Sequence, residues 1–395
     1  IRSLLLLAPS LPFLAISTAI HGYFNAVHRV PKSALVQVAG QIARICITII
    51  ALTILSPDNL ETACSCVSFG GAAGEMISCV LLYILYRYDL NKYIPFSDKP
   101  PVGLTQKLLH ITLPMAISAY MRSGLLTIEH LLIPYGLRRS GASATEALAD
   151  YGVLHGMVFP AVLFPQAFLG AFCGLLVPEV AEEKARGNME RIHVIIRRVF
   201  QTTLLFALGC AGIMICFSGE FGRTLYKNDL AGTYISYVAP LIPVMYLDSA
   251  VDSILKGLGE QMYCMRVNIL DSLLSVIMAW LLLPIWGIQG YLISLYCCEL
   301  SISRLIDVGG IRPSVLRHLL LPLFSIITTT ATVRVFFGLT DVVISNDVCN
   351  LILHAGVAAL YYIFLLIILR CLSSSDLRWI RSLFRRSPSL SGFIF

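Results

Sequence analysis

Eleven apolar stretches follow one another along the chain, each close to the roughly 20 residues that cross about 30 Å of hydrocarbon. They run Leu4–Ala26, Ala34–Leu55, Thr62–Tyr86, Leu108–Ile133, Gly152–Val177, Val199–Ser218, Tyr234–Leu255, Val267–Trp286, Gly287–Ile306, Leu316–Phe337 and Cys349–Leu369. Inside a bilayer each backbone N–H and C=O must find its partner within the protein, which leaves helices or a closed barrel. Spans of this length are too long for barrel strands. An all-α, polytopic membrane protein follows. At 57% hydrophobic and 13% charged residues, against about 25% charged in an average chain, a water-soluble globule is excluded.

Charge placement predicts orientation, because cytoplasmic connectors concentrate Lys and Arg. Alternate connectors and the C-terminal tail carry 21 of the 29 basic residues, among them Lys92, Lys99, Arg191, Arg197, Arg378 and Arg386. The opposite connectors carry five: Arg2, Arg138, Arg139, Arg223 and Lys227. The tail is therefore expected in the cytoplasm and Ile1 on the outer side of the plasma membrane. An odd number of helices would then precede a chain that starts inside an apolar run. Because the +6 net charge follows topology, no nucleic acid is expected as a partner. The twelve cysteines form no C-x-x-C pair and no zinc-like cluster, so reduced thiols are expected.

The candidate functional residues are polar side chains where a membrane span should be apolar. Gln37, Gln41, Arg44 and Thr48 recur at three- and four-residue steps and form one helical stripe, lining either a cavity or a polar helix–helix seam. Glu75 sits mid-span beside the small residues Gly70–Gly74; it either pairs with Arg44 to dock two helices or titrates during transport. Arg122 interrupts its span near the middle and should face a protein interior or a wet cavity. Glu129, seven residues on, lies nearer the outer end and suggests an interfacial role. Asp248, Asp252 and Lys256 make an i, i+4, i+8 stripe in which Asp252–Lys256 is an ordinary helix pair, and Asp248 is the deeper candidate for holding a proton or sodium ion. His21 and His155 read as isolated core imidazoles. Pro160 and Pro165 interrupt one span, and a polar connector is expected from Arg138 to Asp150. There is no Walker loop, G-x-S-x-G or H-E-x-x-H motif, so no enzyme activity, cofactor or metal is expected.

Several motifs together resemble one family. Ala8-Pro9-Ser10, Gly22-Tyr23-Phe24-Asn25-Ala26, Pro31, and Gln41 with Arg44 resemble the fourth and fifth helices of stage V sporulation protein B-like polysaccharide flippases. Leu113-Pro114, Arg138-Arg139-Ser140-Gly141 and Tyr151-Gly152 resemble their seventh helix and the loop after it. Val177-Pro178-Glu179-Val180-Ala181-Glu182 and Pro284-Ile285-Trp286-Gly287-Ile288-Gln289-Gly290 resemble later segments. The resemblance implies the fold of the multidrug/oligosaccharidyl-lipid/polysaccharide exporters, two six-helix lobes around a cavity plus two extra helices. The eleven spans would be helices four to fourteen of about 14. The expected organisation is a partial N-terminal lobe over 1–86, a linker over 87–106, a second lobe over 107–306, the extra helices over 307–370 and a basic tail over 371–395. Two departures stand out. Gly40 replaces a glutamate that relatives carry before the glutamine, and residues 150–155 lack an arginine that related lipid II flippases place there.

The resemblance implies export of a lipid-linked (polyprenyl pyrophosphate) oligosaccharide or peptidoglycan precursor, as in spore cortex synthesis, by alternating access. Arg44, Glu75 and Arg122 sum to +1, which suits an anionic headgroup. A cation-coupled multidrug antiporter is the second reading, and a non-transporting partner of cell-wall synthesis proteins the third.

Overall fold

A computed structural model describes residues 2–26, 29–55, 59–93, 103–297, 321–340, 347–369 and 371. Residues 94–102 of the expected linker, the end of the ninth expected span and the basic tail from 372 lie outside them. The described chain is helical, with six helices long and apolar enough to cross a membrane, or seven if one bent pair counts as a single span. It divides into two compact units, one up to Leu104 and one from Thr105 on.

The first unit packs α1 (Arg2–Leu7), α2 (Ser10–Ala26) and α3 (Val30–Leu55) against the long α4 (Leu60–Tyr93). Its small core is Ile20, Phe24, Val36 and Leu82. The α3–α4 seam is close because α4 presents glycines to it, the usual way helices approach in lipid. A Cβ at Gly74 would lie 2.6 Å from Arg44 Cβ, and one at Gly70 would overlap the Thr48 hydroxyl. Outward from the seam, Ile42, Ile45, Ile49 and Ile50 are exposed, as a lipid-facing stripe must be. At one end Asp89 is fully buried and ion-paired to Lys32 at 2.7 Å and to Arg29, pinning the start of α3 to α4.

The second unit begins with α5 (Leu104–Arg139). The expected connector ends early. Ser143 caps α6 (Ala144–Val153), and Ser143 with Glu146 completes a capping box, so the helix begins among residues whose polarity suggests a loop. Next comes a π-helical segment, Leu154–Val158, with Phe159 N–H bonded to Leu154 C=O. Pro160 has no N–H to give the carbonyl four residues back, and the widened turn accommodates it. α7 (Phe159–Leu163) then meets α8 (Gln166–Ala185) at a 54° bend where Pro165 interrupts the ladder. Tyr246, fully buried, donates its hydroxyl to Val162 C=O at 2.7 Å across this break.

The rest comprises α9 (Met189–Cys216), a short α10 (Ser218–Tyr226), α11 (Asp229–Val238), a 3-10 turn (Ala239–Leu241), α12 (Ile242–Gly257), α13 (Gln261–Trp286), α14 (Ile288–Cys297), α15 (Leu321–Thr340) and α16 (Asp347–Ile368). A single large core joins α5 to α14, while α15 and α16 pack on α9 through smaller clusters. α8 and α12 are held together by Lys184 Nζ donating to Leu258 C=O at 2.5 Å.

Candidate functional site

In the first unit, four sequence-predicted residues share one cavity. Gln37, Gln41 and Arg44 come from one face of α3, and Glu75 from the neighbouring face of α4. The cavity holds about 130 Å³, well above the space one water needs. α2 completes it with Ser17, Thr18 and His21, so His21 is a wall residue and not an isolated core imidazole. His21 stands within electrostatic reach of Glu75. Among the described residues Arg44 and Glu75 make no direct ion pair, so the two charges face the cavity instead of cancelling in a helix-docking bond. Arg44, Gln37 and Gln41 are exposed and Glu75 is half-buried. A guanidinium with two amides beside it offers convergent donors to an anionic, oxygen-rich group. The same seam explains Gly40, whose added Cβ would lie 2.8 Å from Ser78 Cβ. A glutamate there would have to displace α4.

The second unit brings together Asp248, Asp252 and Arg122. Asp252 and Lys256 form the expected pair at 2.5 Å. Asp248, half-buried on α12, lies within electrostatic reach of Asp252, Asp271, Arg122 and Lys256. Arg122 is exposed on α5, and Asp248 supplies an opposite charge in its neighbourhood.

Sequence reasoning missed the other polar centre of this unit. Glu129 is not interfacial: it is 6% exposed and accepts hydrogen bonds from Ser275 Oγ at 2.7 Å and Tyr291 Oη at 3.2 Å. Nor is His155 isolated. Its ring lies 4.7 Å from that of His130, edge to face, inside a cage of Tyr151, Phe159 and Tyr291. The four-residue spacing of Tyr151, His155 and Phe159 was the available signal, since it stacks three rings on one helical face.

Comparison with known proteins fits this architecture. Residues 144–281, from α6 to most of α13, match the MatE family. The chain is 22% identical to stage V sporulation protein B of Bacillus subtilis (strain 168) over 390 residues, covering 95% of this chain and 74% of that protein. The family resemblance seen in the sequence holds. Sporulation protein YkvU of the same organism is 20% identical over 280 residues, 69% of this chain and 61% of that protein. A solved structure, lipid II flippase MurJ in an inward closed conformation, superposes with a TM-score of 0.67 at 11% identity, covering 93% of this chain and 74% of that one. The chain therefore shares the fold of that solved structure, in a multi-pass membrane protein.

Proposed function

We propose that the protein is a flippase that moves lipid-linked polysaccharide or peptidoglycan precursors, such as those of spore cortex, across the plasma membrane by alternating access. The observation that carries this reading is the polar cavity in the first unit. It puts an unpaired guanidinium among amide and hydroxyl groups within a bundle whose outer face is apolar. A pyrophosphate-linked sugar needs such donors once it leaves water, while its polyprenyl tail stays in lipid. A cation-expelling antiporter is less well served, because Arg44 would repel its cargo. Orientation follows the charge asymmetry, with residues 184–198 and the tail on the cytoplasmic side. Cysteines introduced near Asn188 are then expected to label only from the cytoplasm.

The test is a reconstituted assay with a fluorescent polyprenyl pyrophosphate disaccharide in proteoliposomes. The native protein should move the headgroup to the opposite leaflet, and Arg44→Gln should slow it by roughly tenfold or more, the loss of about 1.5–3 kcal/mol for a charged hydrogen bond. Normal flipping by a folded Arg44→Gln protein would remove the cavity from the transport path.

A further inference from the structure

The aromatic cage around His130 and His155 contains polar atoms that the fold leaves without a use. His130 Nδ1 and His155 Nε2 are both closed off from solvent and accept or donate no hydrogen bond. Buried polar atoms are nearly always satisfied, and one left bare costs about 1–3 kcal/mol. Two such atoms on rings 4.7 Å apart are therefore retained at a cost to stability. Imidazole is also the side chain whose ordinary titration falls between pH 5 and 8.

The surroundings say what the pair can bind. Glu129 lies next to His130 on α5, and its Oε1 accepts from Tyr291, whose ring is 6.0 Å from His155. α6 contributes Tyr151 and Asp150, and Asp150 accepts from Tyr234 of α11 at 3.3 Å. From α13 comes the neutral hydroxyl of Ser275, one turn from the Asp271 carboxylate, which lies within electrostatic reach of Asp248, and from α7 the Phe159 ring. Against the imidazoles stand the phenols of Tyr151 and Tyr291, with the Glu129 carboxylate bonded to Tyr291 and Asp150 preceding Tyr151 in the chain. One added positive charge is attracted by Glu129 and spread over the ring faces. A second would sit one ring away from the first and be repelled. The group thus has room for one added charge, with two nitrogens that can carry it. His155 also lies within the π-helical segment, a distortion that recurs at functional positions in helices.

We infer that Glu129, His130 and His155 form a proton-binding site in the second unit, which takes up one proton from water and ties transport of the headgroup to its uptake and release. The proton adds to a ring nitrogen and leaves again as the same proton, so the step needs no other reactant. This rests on the flippase reading for its transport half, and on the geometry alone for the proton. It also assigns the coupling role to a site other than Asp248, whose neighbour Arg122 already provides a fixed positive charge.

Two measurements on the full chain separate the parts. In lipid nanodiscs, ring-¹⁵N histidine spectra from pH 5 to 9 should show one shared protonation step for His130 and His155, and His130→Gln should alter the step that remains at His155. If both rings stay neutral throughout, the proposal fails. In proteoliposomes carrying the fluorescent disaccharide lipid, flipping rates are compared under opposite tenfold proton gradients. One coupled proton contributes a factor of up to about ten for each gradient, so the two rates differ by up to about a hundredfold. The ratio should fall to one in His155→Gln, and likewise in His130→Gln, which leaves the π-helical backbone untouched. A native ratio of one, or a ratio unchanged in both variants, overturns the coupling. Titration without headgroup movement under either gradient would instead overturn the flippase reading and leave the proton site standing.

Discussion

Three glycines on α4 give a graded test of how the cavity wall is held. A methyl added at Gly71 would meet only Leu7 Cδ2, at 3.8 Å. At Gly74 it would lie 2.6 Å from Arg44 Cβ and 3.1 Å from Arg44 Cα. At Gly70 it would overlap the Thr48 hydroxyl and sit 3.0 Å from the Thr48 Cα. Carbon atoms prefer about 3.5–4.0 Å, so Gly74→Ala has to part α3 and α4 by about 1 Å, and backbone cannot swing aside as a side-chain tip can. Overpacking of this kind costs about 1–3 kcal/mol. Replacing a mid-helix glycine by alanine returns about 0.5–1 kcal/mol. The balance for Gly71→Ala is a stabilisation of up to ~1 kcal/mol, and for Gly74→Ala a loss of ~1–2 kcal/mol, with Gly70→Ala at least as costly. Because the strain at Gly74 falls on the residue that carries the guanidinium, transport should drop further than stability does. Unfolding in mixed micelles reads the first quantity and the disaccharide-lipid assay the second. Equal stability and equal transport for Gly71→Ala and Gly74→Ala would refute the close-seam argument.

Asp89→Ala should cost roughly 3 kcal/mol, the low end for breaking a buried ion pair, since Arg29 and Lys32 keep 27% and 30% of their side-chain exposure; micelle unfolding measures it. Ser143→Ala removes one half of the capping box and should cost about 1 kcal/mol, seen as faster amide exchange confined to the first turn of α6. Arg122→Gln should insert normally yet flip poorly, with lysine restoring part of the rate because it keeps the charge and loses the planar fork. If the Arg122 role is instead to balance Asp248, adding Asp248→Asn to Arg122→Gln should recover the rate, and transport by the double variant decides between them.

What could be read in advance followed from periodicity. Gln37, Gln41 and Arg44 share a helical face by spacing alone, and apolar length located the long helices, though a polar first stretch such as Met189–Arg198 of α9 fell outside its expected span. That Glu75 would meet Arg44 was anticipated, but whether as a docking pair or across a cavity could not be read, because it depends on Gly70 and Gly74 setting the depth and rotation of α4 against α3. Glu129 was misread for a related reason. Height along a helix suggested an interface, while burial is decided by α13 and α14 arriving from some 150 residues away. The start of α6 was legible in Ser143 and Glu146, a local capping signal that the surrounding polar residues outweighed. α10 lies just past an apolar run and is half polar, so hydrophobicity alone gave it no mark.

The hydroxyl that Tyr246 lends to Val162 has a consequence for how the protein is made. The two residues are 84 positions apart, so the broken span leaves the ribosome well before its partner does. At about 5–20 residues per second the gap is on the order of 4–17 s. Throughout that interval the Val162 carbonyl lacks the hydroxyl that α12 will bring, beside a turn from which Pro165 has removed an N–H. Pro165 builds the 54° bend into the segment from the start, whereas the hydroxyl that closes the break arrives only when α12 emerges and docks.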